Sequence, residues 1–311
     1  MLAYIATRVG RAIFTIFLVL TFSFTILAAT GDPALLIMSV DAPPEAIEAF
    51  RERYGLDASV WQQYIGYLGN LLQGNFGQSL RDGRDAWDVV VERIPLTLAL
   101  TVPAFLLKIG IGIPAGIYAA LHRNSFLDRL VMMISVAGYT VPSFVLGLIL
   151  ILIFAVNLGV LPSGGQDTWR HAILPIVTLG TAGAAIIARY TRSAMLEVLG
   201  QPYIRTARAK GVPWPKAVRR HALPNAAIPT LTVVGLMVGS LIAGAVVVES
   251  VFSWPGVGRL LISAVANRDL MIVQAILLLV AVCMVTSNLL VDIAYGLIDP
   301  RLRGRSGSRK T

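Results

Sequence analysis

The stretch 203-YIRTARAKGVPWPKAVRRHALP-224 carries six cations, Arg205, Arg208, Lys210, Lys216, Arg219 and Arg220, and no acid. It lies between two long apolar runs, so the chain must leave the membrane here and return to it. Residues 203–210 are good helix formers, and Lys210 near the end suits the negative pole of a helix. Gly211 stands where a helix ends in a left-handed turn. Pro213 or Pro215 can open a second helix, because the first helical residue needs no N–H donor. Leu223-Pro224 closes the loop where the next apolar run begins. The expectation is a short helix, a sharp turn and a second short helix, held at both ends by membrane spans.

Outward from this loop, composition says the same of the whole chain. Of 311 residues, 56% are apolar and 14% are charged, less charge than soluble domains carry. Runs of about twenty apolar residues predict membrane-spanning helices. They fall at 12–29, 95–121 (broken by Pro103 and Pro114 and loosened by Gly110, Gly112 and Gly116), 130–158, 172–190, 225–248 and 271–297. The first run also has the form of a signal peptide with a cleavage site at Ala28-Ala29; its length and its place at the head of a polytopic chain favour a span. The fold class expected is an all-α membrane protein of six transmembrane helices.

Charge placement orients it. The net charge is +9, and the basic residues gather at the N-terminus (Arg8, Arg11), the turn at 122–129, the loop at 189–221 and the tail at 301–311. The region 31–93 holds more acids than bases. Basic segments stay inside, so both termini are expected in the cytoplasm and the acidic region outside. Because the bases flank spans, nucleic acid is not an expected partner.

The chain therefore divides into the N-terminus and first span (1–30), a periplasmic region with short helices (31–94), a five-helix core (95–300) containing the cytoplasmic loop at 196–224, and a basic tail (301–311). Within 31–94, Pro43-Pro44-Glu45 opens a helix running to Gly55. Residues 62–72 read as a second, amphipathic helix with Tyr64, Leu68 and Leu71 on one side. Gly74-Asn75-Phe76-Gly77 forms a turn, and 85–93 an interfacial helix. After the fifth span, 249–270 forms an outer segment with a turn at Trp254-Pro255-Gly256 and a short helix at 258–266. Trp254 reads either as an interface anchor or as part of an outer gate.

Several polar residues fall inside the spans. A charge such as Lys108 at mid-membrane costs roughly 3 kcal/mol. It is either a pore-facing cation or a side chain that snorkels or pairs in the bundle. Asn288 and Asp292 share a face of the sixth span, and Asp292 is expected to pair with Arg189 or Arg192. Thr232, Ser240 and Asn288 are candidate pore residues by span position.

The loop resembles the signature of the inner-membrane permeases of ABC importers: Glu-Ala-Ala, three residues, Gly, then an apolar-x-Leu-Pro end. Ala207, Gly211, Leu223 and Pro224 match; Arg205 replaces the Glu, Thr206 the first Ala and His221 a later Ile. RTARAKG is similar to the dipeptide/oligopeptide/nickel branch, which includes glutathione permeases. GDPA at 31–34, YGLD at 54–57, GNFG at 74–77, VVVESVFSWPGVGRLL at 246–261 and NLLVDIAYGLIDPRLR at 288–303 are also similar to that branch. The resemblance implies a bacterial inner-membrane, multi-pass permease subunit that imports peptides or a related small solute. In that reading Tyr203, Arg205, Thr206, Ala207, Arg208, Ala209, Lys210, Gly211, Trp214, His221, Leu223 and Pro224 form the coupling helix region that docks on an ATPase.

It also implies partners: a second, homologous permease (a heterodimer rather than a homodimer), two ATPase subunits that bind ATP and Mg²⁺, and a periplasmic solute-binding protein. No Gly-Lys dipeptide occurs in the chain, so it has no Walker A phosphate loop, no cofactor is expected on it and it is not expected to be an enzyme. No catalytic signature such as HExxH or GxSxG occurs. His122, His171 and His221 are too scattered for a metal site. An ion-coupled secondary transporter is the alternative, but few acids fall in the spans and no repeat relates the halves.

Overall fold

The computed structural model describes residues 2–29, 34, 42–55, 57–79, 81 and 83–298. The tail at 301–311, the turn at 31–33 and the side chain of Asp292 lie outside the described residues. In chain order the helices are α1 (Leu2–Ala29), α2 (Pro44–Tyr54), α3 (Val60–Leu72), α4 (Ala86–Val91), α5 (Ile94–Leu121), α6 (Phe126–Thr140), α7 (Ser143–Leu150), α8 (Arg170–Leu199), α9 (Pro202–Ala209), α10 (Trp214–Ala217), α11 (Leu223–Gly239), α12 (Val246–Val251), α13 (Val257–Ala266) and α14 (Leu270–Ile298). Among the described residues there is no β-strand beyond an isolated bridge between Gln78 and Asp85.

Five helical stretches are long and apolar enough to cross a membrane: Ala6–Ile26, Ala86–Leu121, Arg170–Leu199, Trp214–Gly239 and Leu270–Val291. A sixth crossing requires α6 and the helix Ser143–Asn157 together, and these are bent by 101°. The third expected span is therefore not one straight rod. Pro142 has no N–H to give and disfavours the helical region for the residue before it. Val141 accordingly lies extended at φ −78°, ψ 119°, and Pro142 caps a fresh helix.

The chain divides into two compact units, Met1–Leu96 with Pro255–Thr311, and Thr97–Trp254. In the first, α1 packs along α14. α2 ends at Gly55 as the sequence predicts, and Gly55 stands in the left-handed conformation at φ +65°. α3 begins two residues earlier than expected because Ser59 and Gln62 form a reciprocal capping box. Asp85 caps α4, accepting from the N–H groups of Trp87 and Asp88 at 2.8 and 3.2 Å. The buried Ser79 hydroxyl donates to Asp269, which fastens the loop before α4 to the start of α14.

In the second unit α8 is the axis, with α6, α7 and α11 packed against it. Pro103 and Pro114 do not break α5, which runs through both; prolines are tolerated where neighbouring helices support the backbone. Two of the glycines expected to loosen this span are instead contact points. A Cβ at Gly112 would sit 2.8 Å from the Ala184 carbonyl oxygen, and one at Gly116 2.5 Å from that of Ala188. Small residues let two backbones meet, the usual means of packing helices in lipid. The Lys108 stem lies over Gly183, where a Cβ would be 2.4 Å from Cδ.

The fifth expected span also differs. α11 stops at Gly239, Ser240 caps it, and the chain turns through Ala243–Ala245 into α12. Residues expected to form an outer segment are core. Val248, Glu249, Phe252 and Trp254 are 1%, 0%, 1% and 5% exposed. Trp254 packs in a cluster with Leu100, Ala104, Leu174 and Phe252, so it does not present its ring as an interface anchor. The Thr97 hydroxyl donates to the Glu249 carboxylate at 2.7 Å, which gives the buried acid a polar partner.

Candidate functional site

The loop folds as its sequence predicts up to Gly211 and more rigidly beyond it. α8 ends at Leu199, and Pro202 opens α9 two residues on. At the far end the Gly211 N–H donates to the Arg208 carbonyl at 2.9 Å, and the Val212 N–H to that of Ala207 at 3.1 Å. These are the two bonds of a Schellman turn, which needs a left-handed residue between them. Gly211 supplies it at φ +82°. Pro213 then caps α10, with Pro215 inside its first turn.

Leu223-Pro224 does not separate this second helix from the next span. Val218–Ala222 forms a wider, π-type turn that carries α10 directly into α11. The whole stretch Trp214–Gly239 is continuous helix. Pro224 sits in the first turn of α11, where a missing N–H is tolerated. The widened turn supplies the remaining adjustment.

One face of the elbow is bolted down. Ile204, Val218 and Ala222 are 2%, 8% and 0% exposed. They cluster with Ala120 at the end of α5, Ala194 and Met195 near the end of α8, and Ala226 in α11. Removing one such aliphatic side chain from water contributes roughly 2 kcal/mol. The opposite face is open: Tyr203, Arg205, Thr206, Arg208, Ala209, Lys210, Gly211, Trp214 and Pro224 are exposed, while Ala207, His221 and Leu223 are half-buried. Arg208 lies over the Trp214 ring at 5.2 Å, a cation–π contact that ties α9 to α10 across the turn.

Two features of this end went unread in the sequence. Lys216, Arg219 and Arg220 line a concavity of about 300 Å³; their spacing, i, i+3, i+4, was the available signal. The second is an ion pair. Arg192 donates to both carboxylate oxygens of Asp128, at 2.6 and 2.8 Å, and the Asn124 N–H donates to the same carboxylate at 2.9 Å. Arg192 is thus paired with Asp128, while the pairing expected of Asp292 lies outside the described residues. Arg189 lies over the rings of Tyr139 and Tyr190, at 5.2 and 5.7 Å. An acid three residues after Ser125 marked a helix start, but its partner 64 residues away could not be read.

The candidate pore residues have these local surroundings. Thr232 is half-buried and donates to the Ile228 carbonyl in its own helix; Ser240, also half-buried, donates to that of Met237. Asn288 is exposed on α14, and Trp254 is in the core. Lys108 makes no hydrogen bond or ion pair to any described residue, and its stem is covered by α8.

Residues 112–304 match the family described as binding-protein-dependent transport system inner membrane component, and residues 1–101 match its N-terminal region. The chain is 43% identical to the glutathione transport system permease protein GsiC of Escherichia coli (strain K12) over 304 residues, covering 97% of this chain and 99% of that protein. It is 45% identical to the di/tripeptide transport system permease protein DppB of Pseudomonas aeruginosa (strain UCBPP-PA14) over 335 aligned residues, covering 97% and 99%. Among solved structures, a chain of the inward-facing MetNI methionine ABC transporter superposes with a TM-score of 0.56 at 23% identity, covering 68% of this chain and 96% of that one.

Proposed function

The chain belongs to the binding-protein-dependent transport system inner membrane components, and from that premise we propose how it works as a multi-pass permease of the bacterial inner membrane. It forms, with a second homologous permease, the path by which an ABC importer takes in peptides or a related small solute such as glutathione. The relatives carry glutathione and di/tripeptides by name. A periplasmic binding protein delivers the solute. Two partner ATPases bind ATP and Mg²⁺ and supply the work, and the chain itself is no enzyme.

The observation that carries the mechanism is the elbow's continuity with the spans. ATP draws the ATPases together, and each holds the open face of one elbow, here the face bearing Tyr203, Arg205, Arg208, Lys210 and Trp214. A displacement of that face passes along two routes. Through Ile204 it reaches the ends of α5 and α8; through the unbroken helix from Trp214 to Gly239 it reaches α11 directly. The second route is helical throughout, through the π-type turn at Val218–Ala222 and past Pro229, so movement at α10 is passed to a membrane span. The family match leaves the ion-coupled alternative without support.

The test is Gly211→Val in the chain reconstituted with its ATPases and binding protein. Valine is strained at positive φ, so the turn that joins α9 to α10 should open. Uptake per ATP hydrolysed should fall at least several-fold, with Gly211→Asn retaining most of it because asparagine tolerates that conformation. Coupling that is unchanged in Gly211→Val, or an elbow that reacts with impermeant reagents from the outer face, would overturn the proposal.

A further inference from the structure

The sequence places α3 among helices standing outside the membrane. Its residues, VWQQYIGYLGNLL, include no charged side chain. At 100° per residue Trp61, Ile65 and Leu72 fall within about 40° of one another around the axis, and Tyr64 and Tyr67 adjoin them on one side. The tyrosine side is covered. The Tyr64 hydroxyl and the Thr21 hydroxyl share a hydrogen bond of 2.6 Å, and the Tyr64 and Tyr67 rings stand 5.2 and 5.7 Å from that of Phe24. The other side is bare: Trp61, Ile65 and Leu72 are 68%, 51% and 91% exposed.

Where α3 is seated decides what covers that strip. Thr21 and Phe24 belong to the apolar stretch Ala6–Ile26 that crosses the membrane. Counted at 1.5 Å per residue from the end of α1 at Ala29, they lie about 8 to 12 Å inside it. A helix fastened there cannot stand clear in water. The depth overlaps that of amphipathic helices lying in the plane of a membrane boundary, which sink roughly 5–10 Å. α1 likewise turns apolar side chains outward: Phe17, Leu18 and Phe22 are 45%, 50% and 67% exposed. Gln62, Gly66 and Asn70 lie about 80°, 120° and 160° round the α3 axis from the middle of the bare strip, on the side away from the tyrosines, and are exposed, which suits headgroups and water.

We propose that α3 lies flat in the membrane–water boundary at the end of α1, with Trp61, Ile65 and Leu72 against lipid and Gln62 and Asn70 toward water. Trp61 then serves as an interfacial anchor of the kind that gathers at this level. Tyr64 and Tyr67 hold the helix to α1, so the first span and the boundary helix move together as one lipid-facing piece.

The test uses the full chain in vesicles of phosphatidylethanolamine and phosphatidylglycerol, with the single native cysteine removed as Cys283→Ser. Spin labels are placed by Trp61→Cys, Ile65→Cys, Leu72→Cys, Gln62→Cys and Asn70→Cys. At the first three positions collisions with oxygen should exceed those with a water-soluble nickel chelate several-fold; at the last two the order should reverse. A second readout needs no cysteine: the fluorescence lost in Trp61→Phe should be the part of the wild-type signal quenched by brominated lipid. Chelate access at all five positions would place the helix in water and overturn the proposal. Immobile labels shielded from both reagents at 61, 65 and 72 would show protein there, a second permease or a binding protein, and would overturn it equally.

Discussion

Nothing lies within 4 Å of where a Cβ at Gly211 would be, yet its φ is +82°. The requirement for glycine is therefore conformational and not spatial, and a side chain there is strained by about 1–2 kcal/mol without any clash. Asp128 shows the opposite kind of constraint. Its side chain is 4% exposed, and it faces Arg192, whose side chain is 19% exposed. Removing one partner of such a pair strands the other charge, a loss on the order of 3 kcal/mol. Asp128→Ala should lower the melting temperature in detergent clearly, and the double variant with Arg192→Met should recover much of the loss, since replacing both charges leaves none unpaired. A single variant that melts like the wild type would show that the pair contributes little. The Thr97–Glu249 contact belongs to the same class, a buried acid kept beside a donor.

At the scale of elements, the contact of α5 with α8 is made by absence of side chains. Gly116→Leu would drive a branched group into the Ala188 carbonyl and the Thr191 side chain, which lie 2.5 and 2.7 Å from a Cβ at that position. Neither backbone has room to retreat without losing other contacts, so overpacking by about 1–3 kcal/mol is expected. The check is the yield of monodisperse protein, which should fall well below that of Gly110→Leu, because a Cβ at Gly110 meets nothing within 4 Å. The elbow gives a second prediction at this scale. Ile204→Ala removes the side chain that seats α9 among Ala120, Met195 and Val218. A core truncation of this kind costs roughly 2–5 kcal/mol, but here the loss should fall on α9. ATPase activity of the assembled transporter should persist while uptake per ATP drops. Equal loss of both would mean that the whole fold had failed.

For the molecule as a whole, the distribution of basic residues makes a prediction of orientation. A fluorescent protein fused after Thr311 should light up, and alkaline phosphatase inserted at 57–59 should be active, because the bases at 8–11, 122–129, 189–221 and 301–310 keep those segments inside. Dark C-terminal fusions with an inactive phosphatase insertion would invert the topology and remove the elbow from the ATPases.

Helix existence and ends were largely legible, because their signals are local. Gly211 announced a left-handed turn, Pro43-Pro44 a helix start and Gly55 its end, and runs of about twenty apolar residues announced spans. The elbow was legible for the same reason: a proline, a glycine and a row of cations are read within a few residues. What could not be read was set by partners distant in the chain. Pro142 was visible, but whether it would bend a span by 101° or be absorbed as Pro103 and Pro114 are depends on the helices alongside. Trp254 and Glu249 look like outer-loop residues until α5 and α7 close over them. Arg192 meets Asp128, 64 residues away in the chain, which no local signal marks. By itself the sequence determined that the chain is built of apolar helices and where Gly211 turns it, since hydropathy and backbone conformation are properties of neighbouring residues. Tertiary structure alone decided which glycines are contacts, which charge meets which, and that the elbow runs as continuous helix into α11, since each depends on surfaces that exist only once the helices have packed.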